Sequence, residues 1–220
     1  MKIFSQKPAF KTKEEQIYEL LREAILDCDL KPGEKVVIDQ LSQKMGVSTI
    51  PIRAAIQRLG MEGLVEIRPH APARIADISV SIIREIFSLL AALEQVAYEV
   101  VAEEAAPKQI NILKGLVREM DQANKENDLH LWTQKSISFH WQIAEFSNMP
   151  LLIEFTHRTF DQWRRVSNFY FRNITAMRIT QAQAEHWQIL ELIGNHKFEA
   201  LTSLAKHDNQ AAFENYQSLI

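Results

Sequence analysis

Two sets of residues in this 220-residue chain have types and spacing that could do chemistry. The first is polar and partly basic: Lys44, Ser48, Thr49, Arg53 and Arg58, followed by His70 and Arg74. An arginine can hold a guanine edge with two parallel hydrogen bonds or grip a phosphate, and lysine and serine can hold the backbone of a duplex. His70 and Arg74 could reach a minor groove. The second set is His140, His186 and His207, which fall on three different expected helices. Three neutral imidazoles suit zinc, nickel or another late transition metal. A histidine taken alone reads as a satisfied core or surface side chain. Four arginines, Arg158, Arg164, Arg165 and Arg172, could meet a small carboxylate ligand or line the outside of a bundle.

The elements that must position the first set are legible between Leu41 and Ile67. Leu41 and Met45 give a short helix an apolar face. Gly46 suits a left-handed corner, and Ser48 or Thr49 can cap the next helix, with Pro51 in its first turn. Ile52, Ala55, Ile56 and Leu59 form one stripe of that helix and leave Arg53, Gln57 and Arg58 opposite. Upstream, Thr12 with Glu15 predicts a capped helix carrying Ile17, Leu20, Leu21, Ala24 and Ile25, broken by Lys31-Pro32-Gly33. Downstream, Gly63 ends the recognition helix. Strands are expected at Leu64–Ile67 and Arg74–Ile78, around a turn at Pro69–Pro72. Three helices and a hairpin make a winged helix-turn-helix, whose second helix in the motif enters a major groove.

From Ser79 the pattern is helical only, with spans predicted near 80–105, 107–124, 128–147, 150–173, 180–194 and 197–218. Pro107 and Pro150 fit helix starts, and Asn148, Gly194 and Asn195 fit turns. Short connections predict an antiparallel bundle of about six helices. The chain is therefore expected to be mainly α, with a DNA-binding domain over 1–78 and a helical domain over 79–220.

Composition narrows the class. The net charge is −3, but residues 1–78 hold 12 Lys/Arg against 11 Asp/Glu and the remainder 13 against 17. All charges before Glu14 are basic (Lys2, Lys7, Lys11, Lys13), an arm suited to phosphates or a solvated terminus. The single cysteine, Cys28, excludes an internal disulfide framework and fits a reducing cytoplasm. No apolar run approaches a membrane span, and the start lacks the apolar core of a secretory signal. No nucleophile elbow, phosphate loop or catalytic carboxylate pair occurs, so an enzyme is not expected.

The string IYELLREAILDCDLKPGEKV and the string GVSTIPIRAAIQRLGMEGLVEIRP resemble the opening helix and the recognition helix of the GntR family of bacterial transcription regulators. LAALEQVAYEVVAEEA, SISFHWQIAEFSNMPLL and EHWQILELIGNHKFEALTSLAKH resemble the FCD ligand-binding domain of its FadR subfamily. The likeness covers roughly residues 12–218. It implies a homodimer that reads double-stranded operator DNA, a small-molecule effector that is often an organic acid, and a metal on His140, His186 and His207. Some positions depart from the pattern. Asp39 and Thr49 stand where arginines are usual, and Pro72 where the wing tip has glycine. Leu90 replaces an arginine, and Ser136 replaces the aspartate that would be the fourth metal ligand. The expected function is that of a DNA-binding regulator, with repression the expected output. The alternative is a metabolite- or metal-binding helical protein with a degenerate DNA-binding head.

Overall fold

The computed structural model describes residues 11–217, and for residues 171–178 the backbone alone. The chain divides into two compact units after Asp77, one residue before the expected boundary.

In the first unit, α1 (Lys13–Leu26), α2 (Ile38–Met45) and α3 (Thr49–Met61) precede the strands β1 (Val65–Glu66) and β2 (Arg74–Ile75). The Thr12 hydroxyl accepts from the Glu15 amide at 3.1 Å and caps α1 as expected. Gly46 takes the left-handed corner after α2 at φ 62°. At the end of α3, the Leu64 amide reaches the Leu59 carbonyl at 3.0 Å, and Gly63 reaches Gly60 at 3.1 Å. With Gly63 at φ 72° this is a Schellman motif, which only a residue free of a Cβ adopts without strain. Ile17, Leu21 and Ile25 of α1 pack with Ile52, Ile56 and Leu59 of α3 and with Leu64 and Ile75 of the wing.

The strands are shorter than expected, antiparallel, with Val65 opposite Ile75 and Glu66 opposite Arg74. The stretch after Pro32 adds something the periodicity did not predict. Gly33 donates to the Ile75 carbonyl at 3.0 Å, Ile75 to Glu34 at 2.9 Å, and Val36 to Ala73 at 2.8 Å. The segment after the Pro-Gly break thus pairs with the free edge of β2 and ties the wing to the helices.

The second unit holds α4 (Val80–Glu104), α5 (Pro107–Lys125), α6 (Leu129–Phe146), α7 (Pro150–Gly194) and α8 (Phe198–Gln217). Ser79 and Asp128 cap α4 and α6 through their side chains. One expectation fails here: the two helices predicted over 150–173 and 180–194 are a single helix of 45 residues. No glycine or proline stands between Pro150 and Gly194, so nothing local interrupts the backbone ladder. Leu113, Val117, Met120, Phe139, Ile143 and Ile189 anchor one part of the core. Ile83, Ile86, Phe87, Leu90, Ile137 and Phe160 anchor another. A buried polar network crosses α5, α6 and α7. Trp132 donates to Gln183 at 2.7 Å, and Gln183 donates to the Val117 carbonyl at 3.1 Å and to Asp121 at 2.8 Å.

Candidate functional site

In the first unit the apolar stripe of α3 is buried, which turns its other face outward. Arg53, Gln57 and Ile50 are exposed there, as are Ser48 before the helix and Lys44 on α2, while Thr49 is half-buried. Arg53 makes no ion pair among the described residues. Ser48 holds the N-cap position with extended backbone but makes no side-chain capping bond, so neither proposed cap is used. The first amides of α3 thus lie beside an uncommitted hydroxyl, a favourable place for a phosphate.

Two other basic residues are already engaged within the unit. The Arg58 guanidinium sits 3.6 Å from the Tyr18 ring centroid, with Nε 3.8 Å from Glu62 Oε1. The Tyr18 hydroxyl donates to the same carboxylate at 2.7 Å. Burial and then that bond raise the phenol above its ordinary range. Arg58 therefore joins α1 to the end of α3, where sequence reasoning placed it on DNA. Arg74 donates to the Gly33 carbonyl at 2.9 Å and fastens the wing. His70 is exposed with φ 60°, after Pro69, and the Ala71 amide reaches Arg68 O at 3.3 Å. Proline then a left-handed residue is the arrangement of a type II turn, with histidine where glycine would be easiest. Of the basic arm, Lys11 pairs with Glu19 at 2.7 Å, while Lys2 and Lys7 lie outside the described residues.

In the second unit, α4, α6, α7 and α8 line a half-open cavity of about 80 Å³. Among the described residues its polar lining is Glu94, Ser136, His140, His186, Asp208 and Asn209, and its aromatic lining is Phe87, Trp132, Phe160, Trp163 and Tyr216. His140 and His186 meet, with ring centroids 5.2 Å apart. His140 Nδ1 lies 2.7 Å from Glu94 Oε1, and Asn209 Nδ2 donates to Glu94 Oε2 at 2.7 Å. His186 Nδ1 faces the Ala182 carbonyl, which can only accept, so that nitrogen carries a proton. Its Nε2 then faces Ser136 Oγ at 3.0 Å. Burial holds the Tyr98 hydroxyl well above its ordinary range, and the negative charges of Glu94 and Asp208 add to the effect.

The expected three-histidine set is not assembled. His207 is exposed on α8, and the next residue, Asp208, lines the cavity instead. One position along a helix rotates a side chain by about 100°. Ser136, at the family's aspartate position, is buried against His186 rather than offering a carboxylate. Among the described residues no group of three His, Cys, Asp or Glu side chains could hold a metal ion. As arranged, the donors do not fit one, because the His186 nitrogen that a metal would need faces a hydroxyl. The effector arginines also fall elsewhere. Arg158 is exposed and pairs with Glu154 at 2.9 Å. Arg165 is buried, 3.4 Å from Gln162, and neither it nor Arg164 lines the cavity. The Arg172 side chain lies outside the described residues. Trp163, from the same helix as these arginines, does line the cavity. Asp208 had a signal in the sequence: positions 201, 205, 208 and 212 follow the helical period of the inward stripe, and 207 does not.

A winged helix-turn-helix followed by a helical bundle with a central polar cavity defines a class of ligand-responsive DNA-binding proteins. The FCD domain matches residues 85–210, more than half of the chain, and the gntR family of bacterial regulatory proteins matches residues 13–75. The chain belongs to the GntR family, in its FCD-containing, FadR-like branch. This is a class of transcription regulators and not of enzymes.

Relatives include the HTH-type transcriptional regulator YdhC of Bacillus subtilis, 30% identical over 137 residues, 60% of either chain. Escherichia coli McbR is 26% identical over 125 residues, 57% of either chain. The match thus spans less than two thirds of both relatives. The transcriptional repressor RspR of Escherichia coli is 22% identical over 90% of this chain and 81% of its own length. Among solved structures, E. coli McbR/YncC superposes with a TM-score of 0.78 at 20% identity, over 96% of this chain and 100% of the other. A GntR regulator from Rhodococcus sp. RHA1 gives 0.79 at 17% identity, over the same shares. At those identities the likeness speaks for the fold.

Proposed function

We propose that this protein is a cytoplasmic transcription repressor that binds a double-stranded DNA operator as a homodimer and lets go when a small molecule enters the cavity of its helical unit. The observation that carries the reading is Arg53, exposed and without an ion pair among the described residues, on the outer face of the second helix of an intact helix-turn-helix. Lys44 and the uncommitted Ser48 hydroxyl supply backbone contacts beside it, and His70 and Arg74 place polar groups on the wing. Arg58 contributes by holding α1 to α3. A symmetric dimer matches the symmetry of an operator with two half-sites. Leu89 and Val96, exposed two turns apart on α4, offer apolar surface for such pairing. Repression has the support of the likeness to RspR.

A second reading keeps zinc or nickel on His140 and His186, with an organic acid entering through the ion. Asp208 favours it, as a carboxylate on the same cavity wall. It requires Ser136 to release His186.

A gel-shift with DNA from upstream of the protein's own gene tests the regulator reading. Retention is expected at about 50 mM salt and should weaken steeply by about 200 mM. No retention of any upstream fragment at low salt would sink it, and would favour a helical sensor with a degenerate head, to which Asp39, Thr49 and Pro72 point.

A further inference from the structure

We infer that the groove between α4 and α8 is a second ligand site, separate from the cavity, for a small elongated dianion: an α,ω-dicarboxylate with an apolar middle. Arg84 and Lys206 take its two ends, and Phe87, Ala91 and Phe213 its chain.

Shape is the first observation. The groove is half-open, with a volume of about 450 Å³. That lies within the usual range of small-molecule pockets, about 300–1,000 Å³. Phe87 and Phe213 are buried at its floor, and Ala91 is half-buried beside them. Phe87 and Asn209 also line the cavity, so the two spaces are neighbours, but the rest of each lining differs.

The second observation is which donors remain for a guest. Ser88 gives its proton to the Arg84 carbonyl at 2.8 Å. Asn209 divides its amide between Glu94 at 2.7 Å and the Ala205 carbonyl at 2.9 Å. Gln210 donates to Glu214 at 2.7 Å. Arg84 and Lys206, by contrast, are exposed and make no ion pair among the described residues. The Arg84 guanidinium lies 5.3 Å from the Phe213 ring centroid, a contact that holds it over the groove and leaves it able to bind a carboxylate.

Charge and spacing are the third. Among the described residues no aspartate or glutamate lines the groove. The stretches outside the described residues contain neither, so they bring no carboxylate side chain to this wall. Two unpaired cations thus face a guest without an acidic side chain between them. Arg84 lies against Phe213, and from Lys206 to Phe213 the helix rises by about 10 Å. An extended chain of about seven carbon–carbon bonds covers a similar length, about 9 Å. One carboxylate can then meet each cation while the methylenes between them cover the apolar floor.

Calorimetric titration of the full chain with suberate, at about 50 mM salt, tests this. Octanoate keeps the chain length with one charge, and succinate keeps both charges on a shorter chain. Suberate is expected to bind at millimolar concentration, and the other two about fivefold more weakly or worse. Arg84→Gln and Lys206→Gln should each weaken suberate about fivefold, the upper effect of one exposed ion pair. Arg84→Lys keeps the charge and should keep most of the affinity. Circular dichroism should show that the variants fold. Trp163→Leu, in the cavity wall, should leave suberate binding as it was. No heat from suberate at millimolar concentration overturns the inference. So does octanoate binding as tightly as suberate, and so does an affinity that neither glutamine substitution changes. Suberate binding lost in Trp163→Leu alone places the ligand in the cavity and overturns it as well. Operator retention is read separately by gel-shift, so none of these outcomes removes the regulator reading.

Discussion

On the outer face of α3, Arg53 stands in solvent without an ion pair among the described residues, whereas in the bundle Glu94 engages both carboxylate oxygens with His140 and Asn209. The first residue can be exchanged with little effect on its neighbours. The second lies between two buried groups, and without it Asn209 keeps only its bond to the Ala205 carbonyl. A similar contrast runs within the DNA-binding unit, where Arg53 and Arg58 are both exposed on α3 but only Arg58 is stacked on Tyr18. Polar residues reserved for a partner stand uncommitted at the surface, and polar residues that shape a cavity constrain one another. Which kind a residue is depends on its company more than on its type.

The largest effect should come from the buried side of this comparison. Glu94→Ala is expected to remove about 3 kcal/mol from the helical unit, the upper range for losing a buried hydrogen bond to a charged group. All four tryptophans lie in that unit, so urea unfolding followed by tryptophan fluorescence reads it in isolation. A loss below about 1 kcal/mol would mean that Glu94 is as independent as a surface charge.

The two arginines come next. Arg53→Ala should cost about 1–3 kcal/mol of operator affinity, read by gel-shift against a scrambled duplex, with no change in the hydrogen exchange of α1 and α3. Arg58→Ala should do the reverse, loosening those helices by about 1 kcal/mol and leaving sequence preference in place. Equal losses of specific binding in both variants would erase the distinction between them.

The smallest effect concerns the wing tip. His70→Gly should stabilise the DNA-binding unit by about 0.5 kcal/mol, because glycine accepts the left-handed angle freely but has more to lose from the unfolded state. Slower exchange of the Ile75 amide would register the gain. A faster one would show that the His70 side chain, and not the turn, holds the tip.

Much of the scaffold was readable because its signals are local. Gly46 and Gly63 sit where the backbone turns left-handed, and the stripe Ile52, Ala55, Ile56 and Leu59 is the buried face of α3. Long-range relations were not readable in this way. Nothing near Arg58 announces that a ring from α1 lies beneath it, and Gly33 to Val36 is too short to show an alternating pattern. The stretch from Asn173 to Thr180 looks like a break because Ile174, Thr175, Ile179 and Thr180 are weak helix formers, yet it contains no true breaker. The cavity was half legible: resemblance found His140, His186 and Ser136, but drew attention to His207 and away from the aspartate beside it.

The unbroken course of α7 has a mechanical consequence. At 1.5 Å per residue its 45 residues form a rod of about 67 Å. Phe160 and Trp163 touch the cavity from one part of that rod, and Ile179, Ala182 and His186 from another. A guest pressing on both stretches acts on a stiff lever held at two points. Tilting such a lever by one degree about one end moves the other by about 1 Å, so a slight adjustment at the wall becomes a larger displacement at the tip.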